Sequence, residues 1–191
     1  MGRIARLTVA AFVMGVSALS YAQGWMEYVN RAERFGVNFP AEPSVEDITH
    51  MGERGGTYPG RVYTAQEGSR RYSVTVIDYE GAEPTVVRGA VAHAAWNFRK
   101  RGGEIFYDAF AQVDRIDGHQ LHITNADQSV TYAGMYQHEY RLYILEATVP
   151  PGSPPPVHFQ YSLIMLDEDG AQVRYDVDAY GRRTVRIDPD D

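Results

Sequence analysis

The chain has no cysteine in 191 residues. That absence excludes disulfide stapling, thiolate metal sites, thiol nucleophiles and thiol redox chemistry together. Stability must come from an ordinary hydrophobic core, and a mature chain of about 170 residues is long enough to bury one. Positive charge is scarce: 18 Lys and Arg stand against 25 Asp and Glu, a formal net charge of −7. A surface with that balance has no electrostatic footprint for nucleic acid or an anionic membrane. Long apolar runs and low-complexity segments are also missing. The longest apolar run, Leu7 to Leu19, is about 13 residues against the roughly 20 that a helix needs to cross a bilayer.

That run follows Arg3 and Arg6 and precedes Ser20-Tyr21-Ala22-Gln23. Cations, a short greasy stretch and small residues at the first and third positions before a cut are the parts of a secretory signal peptide. Residues 1–22 are expected to be removed after Ala22, leaving no transmembrane segment and placing the protein in the periplasm or outside the cell. No cysteine follows the run, which excludes a lipid-anchored form. Losing Arg3 and Arg6 leaves 16 basic against 25 acidic residues, a net charge of −9.

The whole chain is 44% hydrophobic with fourteen tyrosines, a composition that predicts a folded and β-rich domain. Strands are expected at Trp25–Val29 and Arg34–Phe39, the second alternating Phe35, Val37 and Phe39 until Pro40 stops it. Gly52, Gly55, Gly56, Pro59 and Gly60 predict a loop over Met51–Gly60 joining a hairpin of Val45–Thr49 and Arg61–Gln66. Arg71–Tyr79 has two rows compatible with burial and reads as a central strand.

A helix is predicted over Pro84–Arg101. Val87, Ala90, Val91, Ala94, Ala95 and Phe98 fall on one stripe, Pro84 suits the first turn, and Gly102-Gly103 can take a left-handed cap. Four strands follow, Ile105–Ile116, Gln120–Asn125, Val130–Gln137 and Arg141–Val149, in an antiparallel meander whose first turn is assigned to Asp117-Gly118. A proline-rich connector, Pro150 to Pro156, leads into a short helix over Val157–Met165. In the last segment Asp167–Gly170 leads into Val173 and Asp178–Gly181 into Val185, a turn-plus-strand unit used twice. The organisation is therefore a signal peptide (1–22), one α+β domain (23–166) and a C-terminal extension (167–191) of hairpin-like arms. The fold class is α+β, an antiparallel sheet of about six to eight strands flanked by one long and one short helix.

Trp25-x-x-Tyr28, Phe35-Gly-Val-Asn-Phe39-Pro40-x-x-Pro43, Arg61-Val-Tyr63, Val74-Thr-Val-x-Asp78-Tyr79, Arg141-Leu-Tyr143 and Phe159-Gln-x-Ser162-Leu163 occur in an order that resembles small exported bacterial proteins of unassigned function with a PsbP-like α/β/α fold. The resemblance covers Trp25 to Leu166. It implies a sheet flanked by helices and no particular activity.

No constellation selects a reaction. None of the serines sits on a Gly-x-Ser-x-Gly turn. His119 and His122 are three apart on a strand and so face opposite ways, which prevents them from sharing a metal. His138-Glu139 lacks the second histidine of the helical zinc signature, and the Asp167–Gly170 acids lack the spacing of a calcium loop. Asp78 with Glu80, and Asp114 with Asp117, lie at strand ends where carboxylates are ordinarily solvated. The Gly52–Gly60 stretch lacks the Lys-Ser/Thr ending of a phosphate loop. No catalytic residue, metal or cofactor is assigned.

Two aromatic features remain. Trp96 projects about 160° from Phe98 on the helical wheel, which makes it a candidate anchor for a partner protein unless the C-terminal arms or the proline connector fold over it. Tyr63, Tyr72, Tyr79, Tyr132, Tyr136 and Tyr143 are either a candidate aromatic ligand surface or cross-strand packing. The leading expectation is a non-catalytic envelope protein that binds or assembles with a partner. The alternatives are a small-molecule binder with an aromatic-lined pocket between helix and sheet, and a hydrolase with an unrecognised site.

Overall fold

The computed structural model describes residues 24–187, so the leader expected over residues 1–22 lies outside the described residues. Seven strands form one antiparallel sheet: β3 (Ser44–Met51), β4 (Thr57–Glu67), β5 (Arg70–Asp78), β6 (Glu104–Val113), β7 (Ile116–Thr124), β8 (Val130–His138) and β9 (Arg141–Val149), in the order β3-β4-β5-β9-β8-β7-β6. The chain builds one half from the β3 edge inward. It then crosses in the helix α1 (Pro84–Lys100) to the far edge and returns as the meander β6 to β9. β9 closes the sheet by pairing with β5, Tyr72 opposite Ala147 and Val76 opposite Tyr143.

Side chains alternate between two cores because successive strand residues point to opposite faces. Val74, Val76, Tyr143, Leu145 and Ala147 join one buried cluster, whereas Ile77, Leu142, Ala133 and Met135 join the other. α1 covers the second face. Val86, Val87, Ala90, Ala94, Ala95 and Phe98 are buried there, while Val91 is only partly buried. The helix stops where Gly102 (φ 85°) and Gly103 (φ 94°) take left-handed backbone. Arg101 then lays its guanidinium 3.8 Å over the Phe98 ring and pairs with Glu146 at 2.7 Å.

The first face is covered by a small antiparallel sheet of β1 (Met26–Asn30), β2 (Phe35–Phe39) and β10 (Ile164–Met165), in the order β1-β2-β10, and by the single turn α2 (Val157–Gln160). Phe35, Phe39 and Phe159 are fully buried in this layer. Arg34, left-handed at the β1–β2 turn (φ 57°), stitches it to the rest through 2.7 Å ion pairs with Glu139 and Glu168.

Beyond β10, Leu166 bridges to Gln172 and Val173 is fully buried in the same cluster as Phe35. β11 (Tyr175–Val177) and β12 (Arg183–Arg186) then pair with each other antiparallel.

The α+β class and the seven-stranded antiparallel sheet agree with the sequence reading, and α1 matches its expected span to within one residue. Three local expectations are corrected. The glycine-rich loop is only residues 52–56, because β3 and β4 continue to Met51 and from Thr57. Gly60 lies inside β4, where a Cβ would stand 2.8 Å from the Val76 carbonyl oxygen, so this glycine serves close strand approach and not a turn. The helix expected over Val157–Met165 ends at Gln160. Leu163 and Met165 are both buried at a spacing of two, which is strand periodicity, and Met165 accordingly pairs with Phe35.

The third correction concerns Asp117-Gly118, which is not a turn. Val113 pairs with Ile116, so the two-residue turn is Asp114-Arg115, with φ 49° and 65°. Two left-handed residues are what the strand twist demands of such a turn. Gly118 sits inside β7 under the ring of Tyr136.

Candidate functional site

The six tyrosines of the expected ligand surface are core residues. Tyr63, Tyr72, Tyr79, Tyr132, Tyr136 and Tyr143 are each 7% exposed or less. They also divide between faces: Tyr63, Tyr72, Tyr136 and Tyr143 pack with Phe35, while Tyr79 packs under α1. Several hydroxyls are satisfied internally. The Asn30 side-chain amide donates to Tyr63 at 3.0 Å, Gln120 donates to Tyr136 at 2.9 Å, and Tyr143 donates to the Glu33 carbonyl at 3.0 Å. For Tyr63, Tyr136 and Tyr143, cross-strand packing with an internally paired tip accounts for the burial, while Tyr72 borders a recess beside Trp25 and the connector prolines.

Trp96 is 50% exposed. Among the described residues, neither segment expected to cover it does so. The connector prolines Pro154, Pro155 and Pro156 border a recess with Trp25 and Tyr72 instead, and Tyr175 of the tail is held by His138 at 3.0 Å. The indole stacks on His93 (6.0 Å, 26°), carries the Lys100 ammonium 4.0 Å above its ring, and faces Glu53 of the β3–β4 turn across a shallow depression.

The larger exposed apolar surface escaped the sequence reading. β6 is an edge strand of ten residues, hydrogen-bonded among the described strands only to β7. It carries Ile105, Phe106, Tyr107 and Phe110 at the surface, with Phe106 54% and Phe110 64% exposed. A bulge between Ile105 and Tyr107 adds the extra residue Phe106. Behind it, His122 is stacked on Tyr107 (4.6 Å, 23°) and lies 4.7 Å from Tyr132. The opposite edge, β3, carries Glu46 and Asp47 in mid-strand, and Asp47 is paired with Arg61 at 2.8 Å. Charges of this kind blunt an edge against strand addition; β6 has two acids as well, Glu104 at its start and Asp108 in the middle, the second taken up by Arg99.

Asp108 is not a free charge. Arg99 grips it with two nitrogens at 2.7 and 2.8 Å, and His119 approaches at 2.5 Å. The guanidinium holds the Asp108 carboxyl down at about 2. The acid pairs noted in the sequence are occupied separately: Asp114 accepts from Gln172 and Asp117 from Gln112, while Asp78 caps the Glu80 amide. His119 and His122 do face opposite sides of β7, the first toward Arg99 and the second toward Tyr132. Among the described residues no three metal-ligating side chains are grouped to hold an ion, and no helix is long and apolar enough to cross a membrane.

A cleft does lie between α1 and the sheet, but no tyrosine lines it. Its volume is about 410 Å³, and Arg88, Val91, Phe110, His119, Gln137 and Arg183 are among its walls.

His50, His122 and His138 share one property: burial pushes each below the ordinary imidazole range. His93 lowers His50 further. Around His138, Arg183, Arg186 and Arg34 oppose the charged form, which Glu139 favours. The Nε2 atoms of His50 and His122 are buried without a hydrogen-bond partner. A histidine held neutral in the fold contributes stability that is present above the unfolded value of about 6.5 and lost as pH falls toward the folded value. The thermal midpoint is therefore expected to fall between pH 7.5 and 5.5, with a shallower slope in His122→Phe. Scanning calorimetry showing a level or rising midpoint over that interval contradicts this assignment.

Comparison with known proteins finds no matching family model, no matching curated protein and no matching solved structure.

Proposed function

We propose that this is an exported, non-catalytic binding or assembly module of the cell envelope, which holds its partner by taking an extended segment of that partner onto edge strand β6. The observation that carries this reading is the exposed set Ile105, Phe106, Tyr107 and Phe110 on a ten-residue strand whose outer edge has no strand partner among the described residues. A sheet edge offers a line of free backbone donors and acceptors, and alternate side chains supply specificity to a strand laid beside it. Folded proteins ordinarily blunt such an edge, so a long greasy one marks a use for it. Trp96 is a second, separate contact on the outer face of α1. The order of elements, with a meander-built sheet, one long covering helix and aromatic N-terminal strands, supports the PsbP-like reading of the fold. Export rests on the sequence of residues 1–22, and it places the partner in the periplasm or beyond.

The test compares envelope partners of the wild-type chain with those of Phe106→Lys/Phe110→Lys, of Trp96→Ala, and of Val45→Lys on the β3 edge, each expressed with its own leader. The β6 double variant is expected to lose at least tenfold in partner recovery, and the β3 variant to match wild type. The recovered protein is expected to begin at Gln23. Equal recovery from the β6 and β3 variants overturns the edge-strand reading, and recovery in the cytoplasm with Met1 retained overturns export.

A further inference from the structure

We propose that the cleft between α1 and the β6–β7–β8 end of the sheet is a binding site for a small organic carboxylate with an apolar body. Four elements and the tail converge there: Arg88, Val91 and Ala92 from α1, Phe110 from β6, His119 from β7, Gln137 from β8 and Arg183 from β12. Its volume of about 410 Å³ falls in the range of small-molecule sites, roughly 300–1,000 Å³.

The lining sorts by what each group still has to offer. Asp117 accepts from Gln112, Gln137 donates its amide to the Glu139 carbonyl, and the His119 Nε2 is taken up by Asp108 and Arg99. The two guanidiniums, Arg88 and Arg183, have no carboxylate partner among the described residues, in a chain with more acids than bases. Arg183 is already oriented, since its guanidinium lies 4.5 Å over the Tyr175 ring, and the Tyr175 hydroxyl is tied to buried His138. A planar fork with free N–H groups matches a carboxylate in two-point geometry. Val91, Ala92 and the exposed Phe110 ring give the rest of the ligand an apolar wall. Asp117, on the same lining, opposes a second negative charge and so favours a monoanion over a polyanion.

Phe110 is shared with the proposed β6 contact, so variants at Arg88 and Arg183, which leave β6 untouched, test this site separately. Mature chain 23–191 is titrated calorimetrically with 3-phenylpropionate, with its uncharged amide, and with inorganic phosphate. The carboxylate is expected to bind one per chain with a Kd of about 1 mM or tighter. The amide and phosphate are each expected to bind at least tenfold more weakly. Arg88→Gln and Arg183→Gln, both at exposed positions, are each expected to weaken the carboxylate tenfold or more with an unchanged thermal midpoint. No saturable binding of the carboxylate overturns the proposal. So does phosphate binding as tight as the carboxylate, equal binding of acid and amide, or undiminished binding in both arginine variants.

Discussion

Phe35→Ala is expected to cost about 3–5 kcal/mol of unfolding free energy, the range for removing a buried aromatic ring and leaving a cavity. Phe35 has no exposed surface and stands at the meeting point of both layers on its face of the main sheet. Its ring makes an edge contact with Tyr63 at 5.2 Å and lies 6.1 Å from Tyr28 and 6.3 Å from Tyr143. Its backbone is the hinge of the small sheet, paired with Asn30 on one side and Met165 on the other. Tyr63 and Tyr143 sit on β4 and β9 of the seven-stranded sheet, so collapse into the void is limited and the upper half of the range is expected. At roughly 2–4 °C per kcal/mol for a domain of this size, the thermal midpoint drops by about 8–20 °C. Denaturant unfolding of Phe35→Ala beside Tyr180→Ala, whose ring is 85% exposed, checks it. The exposed change should stay within about 0.5 kcal/mol, and a Phe35→Ala loss that small contradicts the packing described.

Gly118→Ala is expected to cost about 3 kcal/mol, at the upper end of the usual penalty for overpacking. A Cβ at Gly118 would stand 2.2 Å from Cδ1 of Tyr136 and 2.3 Å from the Met135 carbonyl oxygen. The first contact can be relieved by turning the ring, at the expense of the hydrogen bond from Gln120 to the Tyr136 hydroxyl. The second is with backbone inside the ladder between β7 and β8, which has no comparable freedom. A double-mutant cycle separates the two. In a Tyr136→Ala background the cost of Gly118→Ala should shrink but persist, since only the ring contact has gone. Full additivity in urea unfolding would show that the ring does not lie over Gly118.

The same glycine shows where sequence reading fails. Asp-Gly is a strong hairpin signal because glycine accepts left-handed backbone, yet here Asp114 and Arg115 take those angles and Gly118 makes room for a ring from the next strand. Local chemistry could not distinguish the two uses, because the ring arrives from eighteen residues away. Tyr63 and Tyr143 behaved similarly. Alternation placed them on strands, but whether they faced a ligand or a core depended on the small sheet of Phe35, Val37 and Phe39 folding over that face. Trp96 was legible because a helix repeats every 3.6 residues, and its outward direction follows from its own helix alone. The exposed row on β6 was not legible, since Ile105 to Phe110 reads as a strand in any setting and becomes a surface only at an edge.

Among the described residues, the sequence by itself determined the elements with a local period: the buried stripe of α1 and its glycine stop, the alternation of β5, and the run of strands from β6 to β9. Tertiary structure decided strand order, and with it which surfaces are open. Pairing of β5 with β9, Val74 opposite Leu145, joins segments about seventy residues apart and pushes β6 to the rim. Periodicity is set by backbone geometry over a few residues, whereas an edge exists only once every other strand has found its neighbour.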